Sequence, residues 1–243
     1  MNTVPIHITS FVEPYPERFG RGPKKPIVIS FLQEKGGSGK TTMSVNVAHG
    51  LVMRGFKVLL VDGDPQGSAR DWNAQNEGSL VPVIGLDRET LPVDLKAVKE
   101  GYDFIIIDGA PQISKLSAAA IRASDIVLIP VQPSPYDVWA SMDLVELIKA
   151  RQVVTNGCPK AAFVISRVIK NTKLSREINE VLAEYGIPVF ESCTSQSVVY
   201  PTVASAGGTV YNTAGIGFKY TVQASEIDNI ITELMERFIN VED

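Results

Sequence analysis

The stretch from Pro26 to Thr42 constrains this chain more than any other. Ile27 to Leu32 is a short run without a charged residue, the composition of a strand buried on both faces of a parallel sheet. A turn carrying Gly36, Gly37 and Gly39 follows, and Thr41 to Ala48 reads as the opening of a helix. Strand, glycine turn and helix in this order can wrap a phosphate chain. Glycines bring backbone N–H groups close to an anion, and the helix start adds the positive end of its dipole. A glycine turn can also do no more than join a strand to a helix. Two lysines at these offsets, Lys35 and Lys40, with Thr41 opening the helix, favour the phosphate reading. Lys40 stands where an amine reaches β- and γ-phosphates, and the Thr41 hydroxyl where it would ligate Mg²⁺.

The standard phosphate-loop pattern is G-x-x-x-x-G-K-[ST], and its first glycine is replaced here by Glu34. Instead a second lysine precedes the glycine pair. The string Lys35-Gly36-Gly37-Ser38-Gly39-Lys40-Thr41-Thr42 resembles the deviant Walker A motif of the ParA/MinD ATPases. The resemblance implies that ATP and Mg²⁺ are the cofactors and that residues 36–42 cradle the nucleotide. It also implies that Lys35 reaches across a homodimer to the phosphates of the other subunit and acts in catalysis with Lys40.

Val58 to Asp62 reads as a second buried strand, ending in Asp62-Gly63-Asp64-Pro65-Gln66. Carboxylates at the carboxyl end of a parallel strand sit in the ligand crevice. An acidic Asx-Pro bend is the plainer reading. The string resembles the family's D-x-D-P-Q switch segment, which implies that Asp64 orients the attacking water. Asp62 would then be a hydrogen-bond partner or an outer-shell partner of the metal. Tyr102 to Asp108 is a third strand, and Asp108 resembles the Walker B aspartate that holds Mg²⁺. Asp125 to Val131 is a fourth, and Pro130-Val131-x-Pro133-Ser134-Pro135 resembles the short plasmid-partition members. Ala161 to Ser166 is a fifth; Arg167 after it is a candidate for base recognition, although Ser166 stands where relatives carry Asn.

Further strands are expected at Leu80 to Ile84 and Ile187 to Phe190. Helices are expected from the phosphate loop to about Arg54, and over 68–79, 91–100, 113–123, 138–152, 173–185 and 222–240. The segment 191–218 reads as loop-rich with one or two helical turns. The fold class is α/β, a doubly wound, mostly parallel sheet with helices on both faces. Residues 27–243 form one domain, preceded by a proline-rich extended arm over residues 1–26.

With 243 residues, net charge −4 and two cysteines outside any C-x-x-C pair, the chain is neither broadly basic nor built for a thiolate metal site. The N-terminus lacks the pattern of a signal peptide and no apolar run approaches a bilayer's span, so a cytoplasmic location is expected; the resemblance implies association with the nucleoid. The C-terminal helix has an acidic polar face, which disfavours an anionic lipid surface and a membrane-associated regulator. The resemblance therefore implies a partition ATPase that dimerises on ATP and binds DNA non-specifically. It would hydrolyse ATP weakly under an adaptor's stimulation and segregate plasmid or chromosome DNA. Its adaptor is a centromere-binding or cargo protein; the alternative cargo is a chemoreceptor cluster or carboxysome. A nucleotide switch with negligible turnover would carry the same motifs. Lys170, Lys173, Arg176 and Lys219 are the candidates for DNA contact.

Overall fold

Six short segments form one sheet in the computed structural model, which describes residues 23–111, 115–169, 173–213 and 222–239. They are β1 (Ile27–Phe31), β2 (Val58–Asp62), β3 (Val83–Gly85), β4 (Phe104–Asp108), β5 (Ile126–Val131) and β6 (Lys160–Ile165). Every pairing is parallel and the order is β3-β2-β4-β1-β5-β6. Strands β2, β4 and β5 are buried along their whole length because helices cover both faces. Side chains alternate between the two cores: Ile29, Phe31, Leu60, Ile106 and Leu128 enter one, Val28, Leu32, Val61, Ile107 and Ile129 the other. The expected doubly wound α/β architecture is the one found.

The first core is closed by α1 (Lys40–Met53), α2 (Ser68–Gln75), α8 (Val199–Ser205) and α9 (Val222–Phe238). The second is closed by α3 (Leu91–Val98), α4 (Lys115–Ala123), α5 (Pro135–Trp139), α6 (Met142–Val154) and α7 (Lys173–Ala183). Helix α1 is buried on nearly every side because it lies between the sheet and α9. A Cβ at Gly50 would stand 2.6 Å from both Ile231 Cδ1 and Tyr211 Oη, so the approach of α9 needs glycine there. Ile227, Ile230, Ile231 and Leu234 of α9 are all fully buried, so its apolar face is spent inside the molecule.

Several boundaries differ from expectation for local reasons. The helix expected over 138–152 is two helices broken at Ala140–Ser141. The Ser141 hydroxyl bonds the Val138 carbonyl at 2.6 Å, which competes with helical hydrogen bonding. The strand expected at Leu80 starts only at Val83, because Pro82 contributes an acceptor, to Leu60 N–H at 3.0 Å, and no donor. The strand expected at Ile187 to Phe190 is a single bridge, Phe163 to Val189, next to Pro188. The loop-rich segment 191–218 holds α8. Residues 1–22 of the arm lie outside the described residues, as do Lys170, Lys219 and the side chains of Lys173 and Arg176.

Candidate functional site

Strand register brings the candidate site together. Phe31 pairs laterally with Asp108, and Asp108 with Asp62. The segments leaving β1, β2 and β4 therefore depart side by side from one edge of the sheet.

Residues 34–39 form the turn after β1, with Gly37 and Gly39 at φ 76° and 105°. Gly39 caps α1 without a side-chain hydrogen bond, so the first N–H groups of that helix have no intrahelical acceptor. Two side chains fix how the loop faces. Gln132 Nε2 donates to the Gly37 carbonyl at 2.8 Å, and Ser166 Oγ to the Ser38 carbonyl at 2.7 Å. In a trans peptide the following N–H points opposite to the carbonyl, so those of Ser38 and Gly39 are turned away from both anchors. Aligned N–H groups at a helix start make an anion cradle.

Lys40 is buried, and its amine spans the loop to the Lys35 carbonyl at 3.4 Å. Burial lowers its pKa, and the nearby carboxylates of Asp108 and Asp64 work against that. Asp108 is buried, and neither carboxylate oxygen has a hydrogen-bond partner. Burial pushes its carboxyl up to about 7; neighbouring Thr41, short of a formed hydrogen bond, opposes the rise and Asp62 adds to it. An orphaned carboxylate beside a helix-start threonine suits Mg²⁺, which would neutralise charge on the phosphates. No cluster of three or more His, Cys, Asp or Glu suited to a metal occurs among the described residues. Thr41 and Asp108 would thus supply the protein's share, with phosphate and water completing the shell, as Mg²⁺ prefers.

Asp62 has both oxygens engaged. Oδ1 accepts the Asp64 N–H at 3.1 Å, and Oδ2 accepts the Arg70 N–H at 2.9 Å and Nε at 3.3 Å. Both oxygens thereby tie the turn after β2 to the first turn of α2. Asp64 is half-buried, with Oδ1 accepting the Gln66 N–H at 3.0 Å.

Lys35 lies on the outer side of the loop, its side chain 41% exposed, and its amine bonds Asp137 Oδ2 at 2.5 Å. The neighbours of Asp137 on α5, Tyr136 and Trp139, are 71% and 60% exposed and meet edge to face at 5.5 Å. From Gly39 and Thr42 a cavity of about 650 Å³ runs past Ser166, Arg167 and Gln196 to α8, large enough for a nucleoside. Arg167 reaches it from a left-handed backbone (φ 53°), its N–H donating to Thr194 Oγ1 at 3.3 Å.

The nucleotide-binding model described as the CobQ/CobB/MinD/ParA domain matches residues 29–199. The chain belongs to that family. It is a nucleotide-binding P-loop ATPase of the ParA/MinD type. It is 32% identical over 215 residues to the maintenance of carboxysome distribution protein A of Halothiobacillus neapolitanus, across 87% of this chain and 97% of that protein. It is 28% identical over 214 residues to the chromosome-partitioning ATPase Soj of Thermus thermophilus, across 75% and 86%. An ATP complex of a Cyanothece McdA variant superposes at TM-score 0.71 with 18% identity, over 87% of this chain and 97% of that one. A putative plasmid partition protein of Borrelia burgdorferi bound to AMPPNP superposes at 0.68 with 19% identity, over 88% and 100%.

The structure brings Lys35, Lys40, Thr41, Asp62, Asp64 and Asp108 to one end of the sheet, and Arg167 to the wall of the adjoining cavity. Sequence reading missed Asp137, Gln132, Arg70 and Gln196. The first two sit in the segment after β5, where the Gln132-Pro133-Ser134-Pro135 break announces a loop but no partner. Arg70 and Gln196 lie outside any motif.

Proposed function

We propose that this chain is an ATP-dependent positioning ATPase that closes into a homodimer over two nucleotides. The observation that carries the reading is the division of labour between the two loop lysines. Lys40 is sunk within its own loop, while Lys35 is half-exposed on the outer side, held by Asp137. Once released from Asp137, an amine so placed can be lent to a twin, where it would act on the γ-phosphate like an arginine finger supplied in trans. Residues 36–42 bind the triphosphate, Thr41 and Asp108 hold Mg²⁺ with Asp62 behind them, Asp64 orients water, and Arg167 faces the base. Catalysis is positioning and charge stabilisation, so turnover is slow until a partner completes the site. The exposed Tyr136 and Trp139 beside Asp137 suit a protein surface on the same side.

The dimer rides on non-specific DNA and an adaptor couples it to cargo, either a plasmid or chromosome centromere complex or a body such as a carboxysome. The match over 97% of the Halothiobacillus carboxysome distribution protein favours the second cargo, and the match to Soj the first. No helix among the described residues is long and apolar enough to cross a membrane. Helix α9 spends its apolar face on the core, which supports a protein that works away from lipid. The test is retention on duplex of arbitrary sequence with ATP or ADP, in low and high salt. Retention only with ATP and falling with salt is expected; equal retention with ADP defeats the reading. Co-purification with products of neighbouring genes identifies the adaptor. Retention that survives charge reversal of Lys170, Lys173, Arg176 and Lys219 together removes those residues from the DNA surface.

A further inference from the structure

We infer that Arg70 is a positioning residue for Asp64, setting the angle at which that carboxylate meets the nucleotide. The inference rests on the water-orienting reading of Asp64 given above. Helix α2 starts just after Gly67, whose left-handed backbone (φ 75°) turns the chain back over β2. Arg70 in its first turn spreads its guanidinium over three segments. Nε donates to Asp62 Oδ2 at 3.3 Å, and Nη2 donates both to the Asp64 carbonyl and to Asp87 Oδ2, each at 3.0 Å. Asp62 ends β2 and is fully buried, while Asp87 follows β3.

The consequence falls on the backbone of Asp64. Its N–H is held by Asp62 Oδ1 at 3.1 Å, and its carbonyl accepts the Gly67 N–H at 2.9 Å as well as Arg70 Nη2. The peptide groups on both sides of Asp64 are therefore anchored, which fixes the direction of its Cα–Cβ bond. A catalytic carboxylate has to be held to within about 0.5 Å, and a displacement of about 1 Å costs on the order of 100-fold in rate.

Room for the guanidinium is built into β3. Gly85 pairs with Asp62 in the sheet, and a Cβ on it would stand 2.8 Å from Arg70 Nη1 and 3.2 Å from Cδ and Cζ. The planar fork meets three acceptors at once; a lysine ammonium on its single stem cannot reproduce that geometry. A mere counter-ion for buried Asp62 would need only the charge, and this is where the two roles separate.

Arg70→Lys keeps the cation over Asp62 and guards against loss of the fold; Arg70→Ala removes it. ATP turnover, affinity for a fluorescent ATP analogue and thermal unfolding are measured for both. Arg70→Lys is expected to unfold like wild type and bind the analogue within about threefold, yet turn over roughly 10- to 100-fold more slowly, the scale of a misplaced catalytic group. Asp64→Ala/Arg70→Ala should hydrolyse no more slowly than Asp64→Ala, because the two act as one unit. Amide exchange at Asp64 and Gly67 should quicken in both Arg70 variants while β4 stays protected. Full turnover in Arg70→Lys, or a loss of affinity that matches the loss of turnover, overturns the inference. Should Asp64→Ala hydrolyse at the wild-type rate, the reading of Asp64 fails by itself; the exchange measurement still reports whether Arg70 holds the turn.

Discussion

The Lys35 amine lies 2.5 Å from Asp137 Oδ2, a contact between residues 102 apart in sequence. The pair is asymmetric: the lysine side chain is 41% exposed, the aspartate side chain 1%. Asp137 Oδ1 has no hydrogen-bond partner, so the Lys35 amine on Oδ2 is the contact that compensates this buried carboxylate. Any excursion of Lys35 toward a second subunit therefore leaves a buried charge behind.

Removing the lysine should cost stability although the residue is half in water. Lys35→Ala is expected to lose about 1–3 kcal/mol, the range for a buried charged group left without its partner. Adding Asp137→Asn should return part of that loss, since an amide costs less to leave buried than a carboxylate. Urea unfolding of the two single variants and the double variant gives the coupling. Strict additivity would mean the pair contributes nothing.

The same contact should set the threshold for self-association. Asp137→Asn weakens the hold on Lys35, so ATP-dependent dimers should appear at lower nucleotide concentration than in wild type. Light scattering during an ATP titration reads this. A midpoint unchanged or moved upward contradicts the idea that Asp137 restrains the lysine.

The two lysines should separate cleanly in binding. Lys40 is buried beside Asp64 and Asp108, and Lys40→Ala is expected to weaken ATP binding on the order of 100-fold, the scale of one or two charge-assisted hydrogen bonds. Lys35→Ala should bind within a few-fold of wild type and fail in turnover. Chelating Mg²⁺ should weaken wild-type binding and leave Asp108→Asn little changed, because the orphaned carboxylate is the group the cation would engage. Fluorescent-nucleotide titrations with and without chelator test all three.

The parts of the site that could be read from sequence are those where local geometry carries the chemistry. A glycine turn between an apolar strand and a helix start is specified by adjacent residues, so residues 35–42 stand out. Asp62 and Asp108 stand out because each ends an apolar run, and parallel register then sets them side by side. What escaped was long-range pairing. Asp137 reads as an ordinary residue after a Pro-Ser-Pro break, and nothing adjacent to it in sequence points to Lys35. Arg70 looks like any surface cation of a short helix until Gly85 arrives beneath it from another strand. The α5–α6 break was missed because the apolar spacing continues across it; a hydroxyl, not a change of pattern, marks the spot.

His49 gives the fold a dependence on pH separate from the nucleotide. It sits on α1, with Nδ1 2.6 Å from Thr209 Oγ1 and its ring edge to face with Tyr211 at 5.8 Å. Burial lowers its pKa from 6.5 to about 4. The unfolded chain therefore takes up this proton first as pH falls, and the folded state is penalised. Stability from a neutral His49 is whole above about 6.5 and drains away down to about 4, a difference of ~3 kcal/mol. Carboxylates add their own acid slope, so the informative quantity is a difference. His49→Gln keeps a polar group for Thr209 but cannot titrate, and its unfolding free energy should decline less steeply than wild type between pH 6.5 and 4. Parallel declines over that window would show that the imidazole is already protonated in the folded protein, and that Thr209 and Tyr211 accommodate the charge.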